Sequence, residues 1–246
     1  MAKELTEKQF LKRYDIHEFD IPLTSVDMAI FTIRGGELQV LLVKRAQHPS
    51  KGLWALPGGF IDLKKDRTLS DTAHRKLLEK TGVDTPYLEQ VESFGSADRD
   101  ARGWSVTVAY LALITCDDIV LAADESSEEV TWMSVEKVEQ EMDLAFDHQA
   151  ILDVCHDRLK NKVQYTSLPI NLLPTEFTLT ELQKTFEIIL GIPVEKKSFR
   201  RRILDADILE ETGGMKTGSN RPAKLYSTKP EGVKHFFSRS IEGPRR

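Results

Sequence analysis

The sequence predicts an α+β protein of two modules, on three observations. Over residues 22–146, short apolar runs of strand length alternate with amphipathic helical stretches. From Asp147 the pattern turns helical and ends in a helix, a glycine turn, a second helix and a hairpin. The charge also changes sign: residues 1–190 hold 21 Lys and Arg against 32 Asp and Glu, whereas residues 191–246 hold 13 against 7. The net charge of −5 therefore averages an acidic body and a basic end, which predicts modules with different partners.

Composition narrows the class. Of 246 residues, 40% are hydrophobic and 30% charged, enough apolar side chain for a packed core and too much for a disordered chain. Two cysteines, Cys116 and Cys155, cannot form a disulfide framework, so the chain reads as cytoplasmic. No apolar run approaches the ~20 residues that span a bilayer. The opening MAKELTEKQF lacks an apolar signal core, so no membrane partner is expected.

Residues 1–21 form a polar extension. Ser25–Ile33 and Leu38–Lys44 flank Gly35-Gly36 and read as two strands of a hairpin. Trp54-Ala55-Leu56-Pro57-Gly58-Gly59-Phe60 is a strand entering a glycine loop. Leu69, Ala73, Leu77 and Leu78 recur at helical spacing, which predicts a helix over Leu69–Lys80, stopped by Thr81-Gly82. Thr107–Thr115 and Val130–Met133 read as strands, and Ser134 caps a helix to Met142. Residues 147–162 predict a linker helix, with Ala150, Ile151, Val154 and Leu159 on one face. A connector with Pro169 and Pro174 follows. Thr180, with Gln183 three residues on, predicts the capping box of the next helix, which runs to Leu190 and ends at Gly191-Ile192-Pro193. A second helix spans roughly Glu195–Leu209, and Thr212–Tyr226 predicts a hairpin.

The stretch from Gly58-Gly59-Phe60 to Arg75-Lys76-Leu77-Leu78-Glu79-Lys80-Thr81-Gly82-Val83 resembles the Nudix box. In that family the motif is a loop–helix–loop within an α/β/α sandwich. Carboxylates one turn apart on the helix hold Mg²⁺ ions that bridge a pyrophosphate and activate water. The chemistry suits a hard cation, because positions i, i+3 and i+4 share one helix face. Here the acids are largely replaced. Lys76 stands for the glutamate after the arginine, Lys80 for the second of the Glu-Glu pair, and Lys65 or Arg67 for the early glutamate. The spacing from Gly59 to Arg75 is two residues longer than the family's. Only Glu79 remains. Opposite charges at ~4 Å attract by roughly 4 kcal/mol at an effective dielectric of ~20, and like charges repel as much. Lysines at metal-ligand positions therefore predict that Mg²⁺-dependent hydrolysis is lost or weak, leaving no catalytic set beyond the remnant Glu79 and no metal site.

Loss of catalysis leaves binding open, since cations can stand opposite a pyrophosphate where metal would. The candidate ligand contacts are Arg45, Trp54, Gly58, Gly59, Lys76, Glu79, Lys80, Arg99, Arg102 and Trp104. Arginine offers a planar fork to phosphate and tryptophan a face to a base. A solvated hairpin with internal ion pairs is the alternative for Asp98–Trp104.

Residues 163–246 read as a winged helix-turn-helix. Phe199, Ile203 and Leu204 give the second helix a packing face, which leaves Lys196, Lys197, Arg200 and Arg201 facing solvent. Such a helix reaches base edges in the major groove, where Arg pairs well with guanine. The expected DNA contacts are Lys196, Lys197, Ser198, Arg200, Arg201 and Arg202 on the helix. Lys216, Thr217, Asn220, Arg221 and Lys224 are the expected contacts on the hairpin.

Together the modules resemble Nudix-related transcriptional regulators of NAD metabolism over residues 22–228. The resemblance is carried by His48-Pro49, Gly52–Phe60, Arg102-Gly103-Trp104-Ser105-Val106, Ser198-Phe199-Arg200-Arg201 and Arg221–Tyr226. It implies a bacterial repressor that binds palindromic operators of NAD biosynthesis or salvage genes as a homodimer. It also implies that ADP-ribose or a related nucleotide, sensed in the Nudix-like domain, releases DNA, with no cofactor required. The rival class is an active Mg²⁺-dependent ADP-ribose pyrophosphatase whose C-terminal extension serves dimerisation. A protein-interaction adaptor is the third.

Overall fold

The structure is a computed structural model that describes residues 5–83, 87–115, 121, 127–217, 222–238 and 240–241. A short helix α1 (Glu7–Arg13), capped reciprocally by Thr6 and Gln9, buries none of its residues. Strands β1 (Leu23–Arg34), β2 (Glu37–Arg45), β3 (Trp54–Ala55) and β4 (Gly58–Phe60) precede helix α2 (Leu69–Thr81). Then come β5 (Tyr87–Ser96), β6 (Ser105–Leu113), β7 (Ser127–Ser134), α3 (Val135–Glu141) and α4 (His148–Val163).

The first seven strands form one mixed sheet in the order β3-β2-β1-β6-β5, with β4 on β1 and β7 on β2. β1 runs parallel to β6 along Leu23–Phe31 and shares its other edge between β4 and β2. That division opens the sheet edge where the glycine loop enters. Strand alternation sorts the core onto two faces. Val26, Met28 and Ile30 join Val108, Tyr110, Ala112 and the α2 residues Ala73 and Leu77. Ala29, Phe31, Ala109, Leu111 and Leu113 join Ile151, Leu152, Cys155 and Leu159 of α4. The sheet thus lies between α2 and α4 as an α/β/α sandwich. The helix expected as a linker is also a wall of the sandwich.

The second module holds α5 (Leu179–Leu190), α6 (Lys196–Asp205), β8 (Leu209–Lys216) and β9 (Ala223–Thr228). Gly191, at φ 70°, ends α5 in the left-handed conformation that glycine adopts without penalty. Phe186 and Phe199 meet edge to face at 5.1 Å between the helices. Phe177 and Tyr226 exchange backbone hydrogen bonds of 3.0 and 2.8 Å, an isolated antiparallel bridge that ties the start of α5 to the two-stranded β8–β9 hairpin. Its core is continuous with that of the sandwich, from Ala29 to Ile203.

Several boundaries differ from expectation. The α5 cap is Thr178 with Glu181, not Thr180 with Gln183. Both patterns overlap in the sequence, and the one that buries Leu179 prevails; the Thr180 hydroxyl accepts from Arg200 instead. α6 stops at Asp205 because Asp207 turns to φ 53° and pairs with Lys229 at 2.7 Å. Ser134 holds the cap position of α3 without a side-chain bond. Asn220, Arg221 and Cys116 lie outside the described residues. Among the described residues no helix is long and apolar enough to cross a membrane.

Phe186 is fully buried between the two helices. Phe186→Ala is expected to lower unfolding free energy by about 3–5 kcal/mol in denaturant titration. A loss under ~1 kcal/mol would contradict this packing.

Candidate ligand cavity and nucleic-acid interface

A cavity of about 980 Å³ opens over the paired ends of β1 and β4, with α2 on one side and the β5–β6 loop on the other. Gly58 makes room for it: a Cβ there would lie 2.1 Å from Asp27 Oδ1 and 2.4 Å from the Val26 carbonyl, so no other residue fits. Gly59 passes beside Lys76, whose Cε would lie 2.7 Å from an added Cβ.

Arg75 ties the loop after β4 to α2. Its guanidinium donates to both Asp66 oxygens at 2.9 and 2.6 Å, to Glu79 at 3.2 Å and to the Phe60 carbonyl at 3.4 Å. That partner holds the Asp66 carboxyl far below its ordinary value. Lys76 Nζ lies 2.8 Å from Glu79 Oε2. Burial pushes the Glu79 carboxyl up, but Lys76 and Arg75 outweigh it and hold it down. Lys80 is 3% exposed and donates to Ser127 Oγ at 2.5 Å.

Across the cavity Arg45 donates to the Pro49 carbonyl at 2.9 Å and lies 4.7 Å over the Phe146 ring. Arg102 pairs with Asp100 at 2.7 Å and lies 5.0 Å over Phe60. Burial lowers the Arg45 pKa and the Arg102 charge lowers it further, so the two guanidiniums repel. Arg99 pairs with Asp147 through 2.9 and 2.8 Å bonds. Among the described lining residues, eight Lys and Arg face four Asp and Glu. An excess of cations in an acidic body is the electrostatics of an anion site.

The cavity thus gathers Arg45, Gly58, Gly59, Lys76, Glu79, Lys80, Arg99 and Arg102. It leaves out two expected contacts. Trp54 packs against the main core. Trp104, 53% exposed, lies over Gly95, with its ring 3.2 Å from where a Cβ would be. The phenylalanine faces inside are Phe60 and Phe146, neither of them among the expected contacts.

Asp27 and His148 were missed as well. Leu56 N–H donates to His148 Nδ1 at 2.9 Å, so the neutral ring carries its proton on Nε2, 3.7 Å from Asp27. These residues lie too far apart in sequence for any local signal. The Mg²⁺ that a Nudix box implies does not fit this donor set. Glu79 is engaged by two cations, and among the described residues no three His, Cys, Asp or Glu side chains converge on a metal position.

In the second module Glu195 caps α6 by accepting from Lys197 and Ser198 N–H at 2.8 and 2.6 Å. Phe199 and Ile203 face inward, so Lys197 and Arg201 stand on the opposite side at i, i+4. Lys196 and Ser198 are also exposed. Arg200 folds back to Thr180 Oγ1 at 3.0 Å. Arg202 turns the other way, to the Ser240 carbonyl, because its position flanks the buried stripe. On the hairpin Lys216 pairs with Glu181 at 2.5 Å and Lys224 with Glu211 at 2.8 Å, while Thr217 is exposed.

A Nudix-type sandwich packed through α4 onto a winged helix-turn-helix is the build of a transcriptional regulator. The NUDIX domain model matches residues 23–155, and the model for the NrtR DNA-binding winged helix domain matches residues 169–228. The chain is 50% identical over 240 residues to the ADPR responsive transcriptional repressor NtrR of Acinetobacter baylyi. That match covers 98% of this chain and 95% of the relative. The chain belongs to this family of Nudix–winged-helix repressors. Two solved structures are similar at 45% identity. Shewanella oneidensis NrtR complexed with a 27mer DNA aligns at TM-score 0.83 over 89% of this chain and 99% of that one. The NUDIX domain of the same protein complexed with ADP ribose aligns at TM-score 0.59 over 63% and 99%.

His148 gives a pH dependence. Burial lowers its pKa from 6.5 despite the Asp27 charge. The unfolded chain takes up a proton that the folded ring refuses, so stability is expected to fall as pH drops below about 6.5. His148→Gln keeps an acceptor for Leu56 N–H and removes this component. Thermal midpoints between about pH 7.5 and 5.5 should fall less in the variant; an equal fall would exclude His148 as the source.

Proposed function

We propose that the protein is an operator-binding repressor of NAD biosynthesis or salvage genes, released from DNA by ADP-ribose or a closely related nucleotide. The observation that carries the reading is the cationic lining of one cavity in an otherwise acidic body. The Arg102 charge acts against that of Arg45, Asp100 and Asp27 offset it in part, and a pyrophosphate would add further negative charge between the two guanidiniums. Phe60, 43% exposed, offers a face for the base. The ADPR responsiveness of the Acinetobacter relative and the ADP-ribose complex of the Shewanella domain support the same ligand.

Lys76 and Lys80 stand where the Nudix pattern has carboxylates, so charge fixed on α2 replaces the charge of a metal. ADP-ribose should bind equally well with Mg²⁺ or with a chelator in calorimetric titration, and should not be hydrolysed. Substantial Mg²⁺-dependent turnover would establish the pyrophosphatase instead.

DNA is read by α6, with Lys197 and Arg201 toward the major groove and the hairpin lysines exchanging their acidic partners for phosphates. A two-fold homodimer meets a palindromic operator with half-sites about one helical turn, or a multiple, apart. A gel shift on NAD-gene promoters, with and without ADP-ribose, tests both halves of the reading. Arg201→Ala should weaken operator binding by about 1–3 kcal/mol, and Lys234→Ala far less. Equal effects would remove α6 as the reading helix.

A further inference from the structure

The cavity touches α4, a helix that packs against both modules. Phe146 and His148, at the start of α4, line it. Asp147 between them receives two parallel bonds from Arg99, whose side chain is only 7% exposed and lines the cavity itself. The same guanidinium reaches Ser105 Oγ at 3.3 Å and Asp27 at 3.7 Å.

A second observation concerns the helix end. Asp147 is the N-cap residue of α4, yet its carboxylate makes no bond to the first turn. Aspartate is among the strongest N-caps, normally from extended backbone; here φ is −97° and ψ 21°. Thr68, Thr178 and Glu195 all cap their helices through side chains. Arg99 therefore occupies the group that would otherwise cap α4.

We propose that Arg99 and Asp147 form a two-position switch between the cavity and the DNA-binding module. This rests on the reading of the cavity as a site for a pyrophosphate-bearing nucleotide. In the free protein Arg99 holds Asp147, and the first turn of α4 stays uncapped. A phosphate entering the cavity takes the guanidinium fork, which fits phosphate as well as carboxylate. Asp147 then turns to the N–H groups of Gln149 and Ala150. The helix start reseats, and α4 carries the movement to α5, against which it packs. Each arrangement gives Asp147 a full set of partners, so the element is bistable. Ligand and operator bias it in opposite directions.

The test uses the full chain carrying Asp147→Asn, which cannot pair with Arg99 as an ion but still caps a helix. ADP-ribose affinity is read by calorimetry and operator affinity by fluorescence anisotropy. Linkage requires shifts of opposite sign: ADP-ribose binding tighter and operator binding weaker, each by about fivefold or more. Asp147→Ser, which also caps, must shift both affinities the same way and guards against a poorly folded variant. Affinities that both fall, or that both stay within about twofold of wild type, would overturn the switch alone. Wild-type protein that binds no ADP-ribose would overturn the functional reading and the switch with it.

Discussion

Helix α4 has to satisfy two modules at once. Ile151, Leu152, Cys155, Leu159 and Val163 are all completely buried, against the sheet and against α5. Burial of each large aliphatic residue stabilises by roughly 1.5–3 kcal/mol, so separating the modules at this helix would be costly. Cys155 shows how dry the contact is: burial pushes its thiol up to about 12. Polar groups fix the helix along its flank. Glu89 on β5 accepts from Lys162 at 2.7 Å, Arg158 at 3.2 Å and the Tyr87 hydroxyl at 2.5 Å. The two modules therefore share a packed interface and are not two beads on a tether.

The same economy governs the charges. Arg75, Lys76, Arg99, Arg102, Lys216 and Lys224 all have acidic partners within 3.2 Å. Such partners orient the cations before any ligand arrives and limit their mutual repulsion. They also set a threshold, because an incoming phosphate must do better than the carboxylate it replaces.

Local signals were legible wherever the chain itself supplies the constraint. The glycines at 58, 59, 82 and 191, the helical spacing of α2 and the apolar run of β6 each mark their elements within a few residues. The Lys76, Glu79 and Lys80 face of α2 could be read because residues one turn apart on a helix must be neighbours. The tryptophans, expected as ligand contacts, do not line the cavity. Trp54 sits in a short strand and Trp104 in a loop, and nothing nearby says which side faces the cavity. Arg200 and Arg202 were expected on the DNA side, and each was drawn aside by a partner far along the chain, Thr180 and Ser240.

The sequence by itself determined the two-module build, the opposed charges and the lysines at positions 76 and 80 of the Nudix-like helix. These follow from composition and short-range periodicity. Only the tertiary structure decided that Asp27, Arg99, Asp147 and His148 share one wall, and that the supposed linker is a buried part of the sandwich. Those facts depend on how β1, β6 and α4 pack, and packing joins side chains that lie more than a hundred residues apart in the sequence, beyond the reach of any local pattern.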